Sequence, residues 1–481
     1  MPSARLLSWH LKSRRLPSGR SALLATAALL SASLTIGAAH AQDQQAKRYP
    51  ATLAGHAVLP ANTLVQAPAE AGPLFATAGK FTNADRKRVD AVGTIRATSF
   101  VADPKAPRET EIMLPVAGQA VQGFSAVVPQ PNGEFLALTD NGFGSKVNSV
   151  DALLMVHRVK PDWQSGAMQR LETIFLRDPD RKIPFAIVNE NTTSRYLTGA
   201  DFDPESLVIQ PDRLFIGDEF GPYILELSRD GVVIAVHETV IDGKPARSPD
   251  HYRNNGLPAV PGAVSFEVRR SRGFEPMGVS PDGKTLYPSL EGPLWNAAAN
   301  AFENKDGRVY TRILEFDVAN RTYTGKSWKY RLEDNANVVA DMAMIDAGSA
   351  LVIERDDTTE GAKTQACQGE AKLDCFNAPA AFKRIYKIDI AGADAEGFVR
   401  KVGYIDLTDI ADPDHKARAG QAPEGRFVMP HLGPEGVNIV DADHIVVVND
   451  NNLPYSTGRT IGKADGDEMA LLSVGELLHA R

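Results

Sequence analysis

Glu275 and Glu291 stand eight residues before and eight residues after Gly283 in the stretch GFEPMGVSPDGKTLYPSLEGPL, residues 273–294. Two carboxylates so placed can bind a cation or move protons, provided the chain between them folds back on itself. Pro281-Asp282-Gly283-Lys284 supplies the fold-back, since proline pre-sets φ and Asp-Gly offers the positive φ of a tight hairpin loop. The flanking runs carry apolar residues at or near alternate positions, the pattern of half-buried strands. Positions equidistant from an antiparallel turn lie opposite each other, so both carboxylates emerge at the open end of one hairpin.

The figure recurs four times. Asp203-Pro204-Glu205 leads through Pro211-Asp212 to Gly217-Asp218-Glu219, and Gly433-Pro434-Glu435 through Asp441-Ala442-Asp443 to Asn449-Asp450-Asn451. Asp341 leads through Asp346-Ala347-Gly348 to Glu354-Arg355, and Gly123-Phe124-Ser125 through Pro131-Asn132-Gly133 to Asp140-Asn141. Like charges brought together raise one another's pKa unless a cation joins them. Ca²⁺ accepts about six to eight oxygens in flexible geometry. The expected cofactor is therefore a divalent metal, Ca²⁺ first, held by Glu205, Asp218, Glu219, Glu291, Glu354, Asn449 and Asp450. Glu275 and Glu435 each follow a glycine by two residues, where backbone turns sharply, and are expected to supply a metal ligand and the general base for a water. Capping of strand ends by these acids stays open as the other reading, above all for the copies that hold Asp341 and Ser125.

Every copy has the same polarity, so the open ends fall on one face. A hairpin returning at intervals of roughly 65 to 95 residues signals a radial array, one copy per blade. The expected fold is an all-β propeller. Five hairpins are visible, and a sixth blade is expected where residues 92–100 pair with residues 470–474. The 39 glycines and 31 prolines among 481 residues fit an all-β chain dense in turns.

Residues 1–41 read as an export signal. Arg5, Lys12, Arg14, Arg15 and Arg20 precede an apolar stretch at 22–39, and Ala39-His40-Ala41 is an A-x-A cleavage site. Residues 42–85 read as a leader or first strand, and 86–481 as the propeller domain. Removing those five basic residues from the 52 Lys+Arg leaves 47 against 60 Asp+Glu, a balance of −13. So acidic a body repels nucleic acid and anionic membrane surfaces, and no membrane anchor remains after cleavage. The expectation is a periplasmic or secreted monomer acting on a small molecule. Cys367 and Cys375 are the only cysteines, and an oxidising compartment is expected to bridge them, contributing about 2–3 kcal/mol. No G-x-S-x-G, H-E-x-x-H or G-x-x-x-x-G-K-[ST] run occurs, so chemistry must run on carboxylates, asparagines, arginines and a metal.

Gly273-Phe274-Glu275 with Glu291-Gly292-Pro293-Leu294, Asp218-Glu219-Phe220-Gly221-Pro222, Glu354-Arg355-Asp356 and Gly433-Pro434-Glu435-Gly436 resemble the phytase-like family, described as having the esterase-like activity of phytase. The resemblance implies a propeller whose recurring acids carry phosphoester hydrolysis. Three functions are compatible with these residues. The first is a metal-dependent phosphoric ester hydrolase, with Arg355 and Arg272 binding phosphate oxygens. The second is a calcium-dependent lactonase-like hydrolase, and the third a non-catalytic binding propeller. Export itself is testable: N-terminal sequencing of secreted protein should begin at or near Gln42, and material beginning before Ala22 would contradict the cleavage site.

Overall fold

The computed structural model describes residues 46–99, 101, 108–254, 256–419 and 422–481. The export-signal reading of residues 1–41 lies outside the described residues. Apolar runs between turns fold here into four-stranded antiparallel meanders arranged radially. Blade one comprises Phe124–Gln130, Glu134–Thr139, Met155–Asp162 and Ala167–Phe175. Blade two comprises Pro204–Ile209, Arg213–Asp218, Tyr223–Ser228 and Val233–Glu238. Blade three comprises Phe274–Val279, Thr285–Leu290, Arg308–Asp317 and Thr322–Arg331. Blade four comprises Val338–Met344, Ser349–Arg355, Lys383–Asp389 and Arg400–Asp406. Blade five takes Gly433–Ile439, His444–Asp450 and Asp467–Ser473 from the end of the chain, and its outer strand, Thr52–Leu59, from the beginning.

The first strand of each blade lies innermost, and these strands neighbour one another in order, that of blade five closing against that of blade one. Five hydrophobic clusters fill the five gaps between blades. Leu138, Leu207 and Ile216 fill the first gap, Phe215, Phe274 and Phe316 the second, and Ile313, Val352 and Ile388 the third. Leu351, Val437 and Leu472 fill the fourth, with Val127, Val446 and Met469 in the fifth. Each sheet is covered on both faces, which is why a strand such as His444–Asp450 carries an unbroken apolar run, Ile445 to Val448, with no residual exposure.

The propeller expected from the repeats is therefore present, but among the described residues it has five blades, not six. The first long strand and the last strand of the described residues do meet. Residues Asp467–Ser473 pair with Thr52–Leu59, whose Leu53, Ala57 and Leu59 are buried, and this pairing completes the fifth blade. In the 92–100 region, Ile95–Thr98 pairs instead with Glu109–Leu114 as a separate hairpin. Cys367 and Cys375 form a disulfide.

A buried ionic clasp secures the closure. Glu468 Oε2 lies 3.1 Å from His56 Nε2 on the closing strand and 3.2 Å from His431 Nε2, while Arg459 Nε donates to Glu468 Oε1 at 2.7 Å. His431 Nδ1 lies 3.1 Å from Asp465 Oδ2. Burial opposes a charge on His431, but Glu468 and Asp465 outweigh it and raise the imidazole to about 9. A folded-state pKa above the ordinary one means stability fully present below about pH 6.5 and lost as pH rises through 9. The stability gap between wild type and His431→Gln, measured by denaturant unfolding from pH 6 to pH 9.5, should narrow towards the alkaline end. A gap constant with pH would show that the imidazolium does not support the clasp.

Candidate functional site

In all five inner strands the register slips near the start. Phe124 pairs with Thr139, Pro204 with Asp218, Phe274 with Leu290, Val339 with Glu354 and Pro434 with Asn449, and one extra residue then enters the inner strand before pairing resumes. Such a β-bulge re-aims a side chain that the ladder would otherwise hold against a neighbouring sheet. The residue that follows the paired one is Ser125, Glu205, Glu275, Ala340 or Glu435, from blade one to blade five. The residue just past the paired one on the second strand is Asp140, Glu219, Glu291, Arg355 or Asp450.

Glu205, Glu275 and Glu435 hold ligand oxygens within 4.8 Å of one another, as do Glu219, Glu275 and Glu291, and also Asp203, Glu205 and Glu219. All six residues are buried. Arg355 reaches into this cluster, its Nη2 lying 2.6 Å from Glu435, 3.8 Å from Glu275 and 3.9 Å from Glu291. Arg272 donates to Glu291 Oε2 at 2.8 Å and also pairs with Asp357. Lys383 Nζ is spent on the carbonyls of Asp356 and Leu432, at 2.6 and 2.8 Å, and burial pushes it down to about 8.

The electrostatic consequence is uniform in sign. Burial, then Glu275, Asp203 and Glu435, drives Glu205 well above its ordinary pKa. Burial with Glu291 does the same to Glu219, and burial with Glu291 and Glu435 to Glu275. Burial lifts Glu435 to about 7 against the opposing pull of Arg355. At the blade-one edge, desolvation and Asp203 raise Asp140 to about 8, and burial with Glu435 and Asp140 raises Asp450. Such a cluster either holds protons or takes a cation.

Alternation sorts the other expected ligands. Successive strand residues face opposite sides, so of two adjacent second-strand residues only one looks to the axis. Glu219, Arg355 and Asp450 do, and their predecessors do not. Asp218 instead accepts from the amides of Asp203 and Gly221, at 2.8 and 2.7 Å. Glu354 accepts from Tyr330, Asn337, the Glu333 amide and Lys401, all between 2.7 and 2.8 Å. Asn449 accepts from the Glu468 amide and donates to the Gly466 carbonyl. These three lie outside the oxygen cluster because their polar atoms serve their own sheets. Asp341 accepts from the amides of Met342 and Val437 and so ties blade four to blade five. Asp203 belongs to the cluster, and Asp140 lies at its edge, where burial and Asp203 raise its carboxyl, although neither was expected as a ligand. Both stand in the repeats, one at the start of its copy and one at the finish, and that position was the signal for them.

The fold and site define a five-bladed propeller with its titratable groups gathered where the inner strands begin. Residues 119–453 match the family described as phytase-like, esterase-like activity of phytase, and the chain belongs to that family. An uncharacterized secreted protein of Arthroderma benhamiae is 29% identical over 142 residues, which cover 25% of this chain and 25% of that protein. The match thus spans about a quarter of that relative's length. Among solved structures, the periplasmic gluconolactonase of Pseudomonas aeruginosa is 13% identical, with 79% of this chain and 98% of that one covered and a TM-score of 0.30. A Dyadobacter fermentans protein of unknown function is 9% identical, with 88% and 99% covered and a TM-score of 0.35.

The sorting by alternation predicts different consequences for neighbouring acids. Glu354→Ala, which leaves Lys401 and Tyr330 without their buried partner, should lower unfolding free energy by about 3 kcal/mol. Whatever affinity the wild type shows for a divalent cation in titration calorimetry should be unchanged in this variant. A lost or weakened cation signal would return Glu354 to the ligand set.

Proposed function

We propose that the chain is an exported hydrolase of ester bonds, phosphoric esters foremost, that works with a divalent cation, Ca²⁺ preferred. The observation that carries this reading is the set of three overlapping carboxylate trios, buried together with one arginine. Carboxylates packed so closely are held apart from water and lack enough protein cations to neutralise them, which favours a bound ion. The cation would polarise a phosphoryl oxygen and hold the attacking water.

Glu435 serves as general base. Its pKa near 7 is matched to proton removal at neutral pH. Glu275 shares one trio with Glu205 and another with Glu219, and it also lies 3.8 Å from Arg355, so it borders both the cation ligands and the guanidinium. Arg355 keeps a buried Nε–H without a hydrogen-bond partner, a donor available to a substrate oxygen. The disulfide and the likeness to a secreted protein support export.

Hydrolysis of generic phosphomonoester, phosphodiester and lactone substrates, with calcium and with EDTA, tests the reading. Glu435→Gln and Glu275→Gln should each lower turnover by about 10² or more while the fold persists. Saturating calcium should raise the melting point, by mass action worth about 2.7 kcal/mol at a hundredfold excess over Kd. Lactone cleavage alone would replace phosphoesters as the substrate class. Wild-type rates in both glutamine variants would make these acids scaffold and favour a binding propeller.

A further inference from the structure

The three trios are not equivalent. Their difference bears on where a cation sits, an inference that rests on the cation-dependent function proposed for this chain. Arg355 contacts Glu435, Glu275 and Glu291 at 2.6, 3.8 and 3.9 Å. Two of those acids belong to the Glu205–Glu275–Glu435 trio and two to the Glu219–Glu275–Glu291 trio. Arg272 adds a second guanidinium at Glu291. The remaining trio, Asp203, Glu205 and Glu219, has no lysine or arginine nitrogen in ion-pair contact among the described residues, and Arg272 acts on its Glu219 only at longer range.

The asymmetry has a simple origin in the fivefold frame. At the bulge position, where blades two, three and five carry glutamates, blade four carries buried Ala340. At the second-strand position, where the other four blades carry acids, blade four carries Arg355. Blade four thus removes negative charge twice and adds a fixed positive one beside the two trios that contain Glu275. A guanidinium so close repels a dication and already supplies part of the charge that a second ion would bring.

We infer that the site is a hybrid: one divalent cation bound off the axis by Asp203, Glu205 and Glu219 of blade two, with the Arg355 guanidinium standing where a second metal ion would otherwise lie. A second observation points to a ligand at Arg355 itself. Arg355 is 6% exposed, and its Nε is buried with no hydrogen-bond partner. The chemistry suits a tetrahedral oxyanion with two oxygens on one centre, one for the cation and one for the guanidinium, as in two-ion sites that clamp both sides of a displacement.

Counting bound calcium in the mature protein, by equilibrium dialysis with elemental analysis, tests the assignment. Wild type should hold one ion, and Asp203→Asn should weaken its binding at least tenfold. Arg355→Met should hold two, whereas Arg355→Lys, which keeps the charge, should hold one. If Arg355→Met does not give a cooperative melt, Arg355→Gln is counted instead and should also hold two. Inorganic phosphate should tighten calcium binding in wild type and lose that effect in the neutral Arg355 variant. Two ions in wild type, one in the neutral variant, or undiminished affinity in Asp203→Asn overturns the hybrid site. A folded wild type that binds no calcium defeats the cation reading itself, a result distinct from these.

Discussion

Repulsion among carboxylates that water scarcely reaches is the interaction around which this molecule is arranged. Glu205, Glu219, Glu275, Glu291, Glu435 and Asp203 bring their oxygens together in three overlapping trios, and burial, with the neighbouring acids adding to it, raises Glu205, Glu219 and Glu275 well above the ordinary carboxylate range. Left to a flexible chain, the acids would separate. They are held because each is anchored where an inner strand begins or a second strand ends, and those strands are packed on both faces. The interblade clusters supply the favourable free energy that offsets the repulsion.

That restraint requires a closed ring. An open array of blades would let the inner strands spread and relieve the charge. Closure depends on strand Thr52–Leu59 joining the last blade, and the clasp of Glu468 with His56, His431 and Arg459 reinforces the join inside the core. A buried charge network is expensive unless its members satisfy one another. Here it lies on the side of blade five where Thr52–Leu59 joins Asp467–Ser473. Structure and site are thereby coupled: the same ring that buries the apolar faces brings the acids together.

The bulges convert a repeated strand into a site. Without the extra residue, Glu205, Glu275 and Glu435 would continue the ordinary alternation and face a neighbouring blade, where an ionised group has no place. Blade four, which carries alanine at this position, is also the one that supplies Arg355. Deviation from the repeat, more than the repeat itself, therefore shapes the charge distribution at the axis.

The sequence by itself determined the class of fold and most of the cluster, because both rest on local rules. Alternating apolar residues around Asp-Gly and Asn-Gly turns specify hairpins whatever surrounds them, and acids equidistant from a turn must share its open end. Glu205, Glu219, Glu275, Glu291 and Glu435 were legible for that reason. Which of two adjacent polar residues faces the axis was not legible, since a one-residue bulge reverses the answer and the bulge is visible only in the pairing. Asp218, Glu354 and Asn449 accordingly turn into their own sheets while Glu219, Arg355 and Asp450 look inward. The number of blades was likewise decided by tertiary structure: residues 92–100 were the expected closing segment, and packing against Asp467–Ser473 selected Thr52–Leu59 instead. Short-range patterning sets what a segment is, whereas ring closure, a contact between strands some four hundred residues apart in the sequence, sets where it goes.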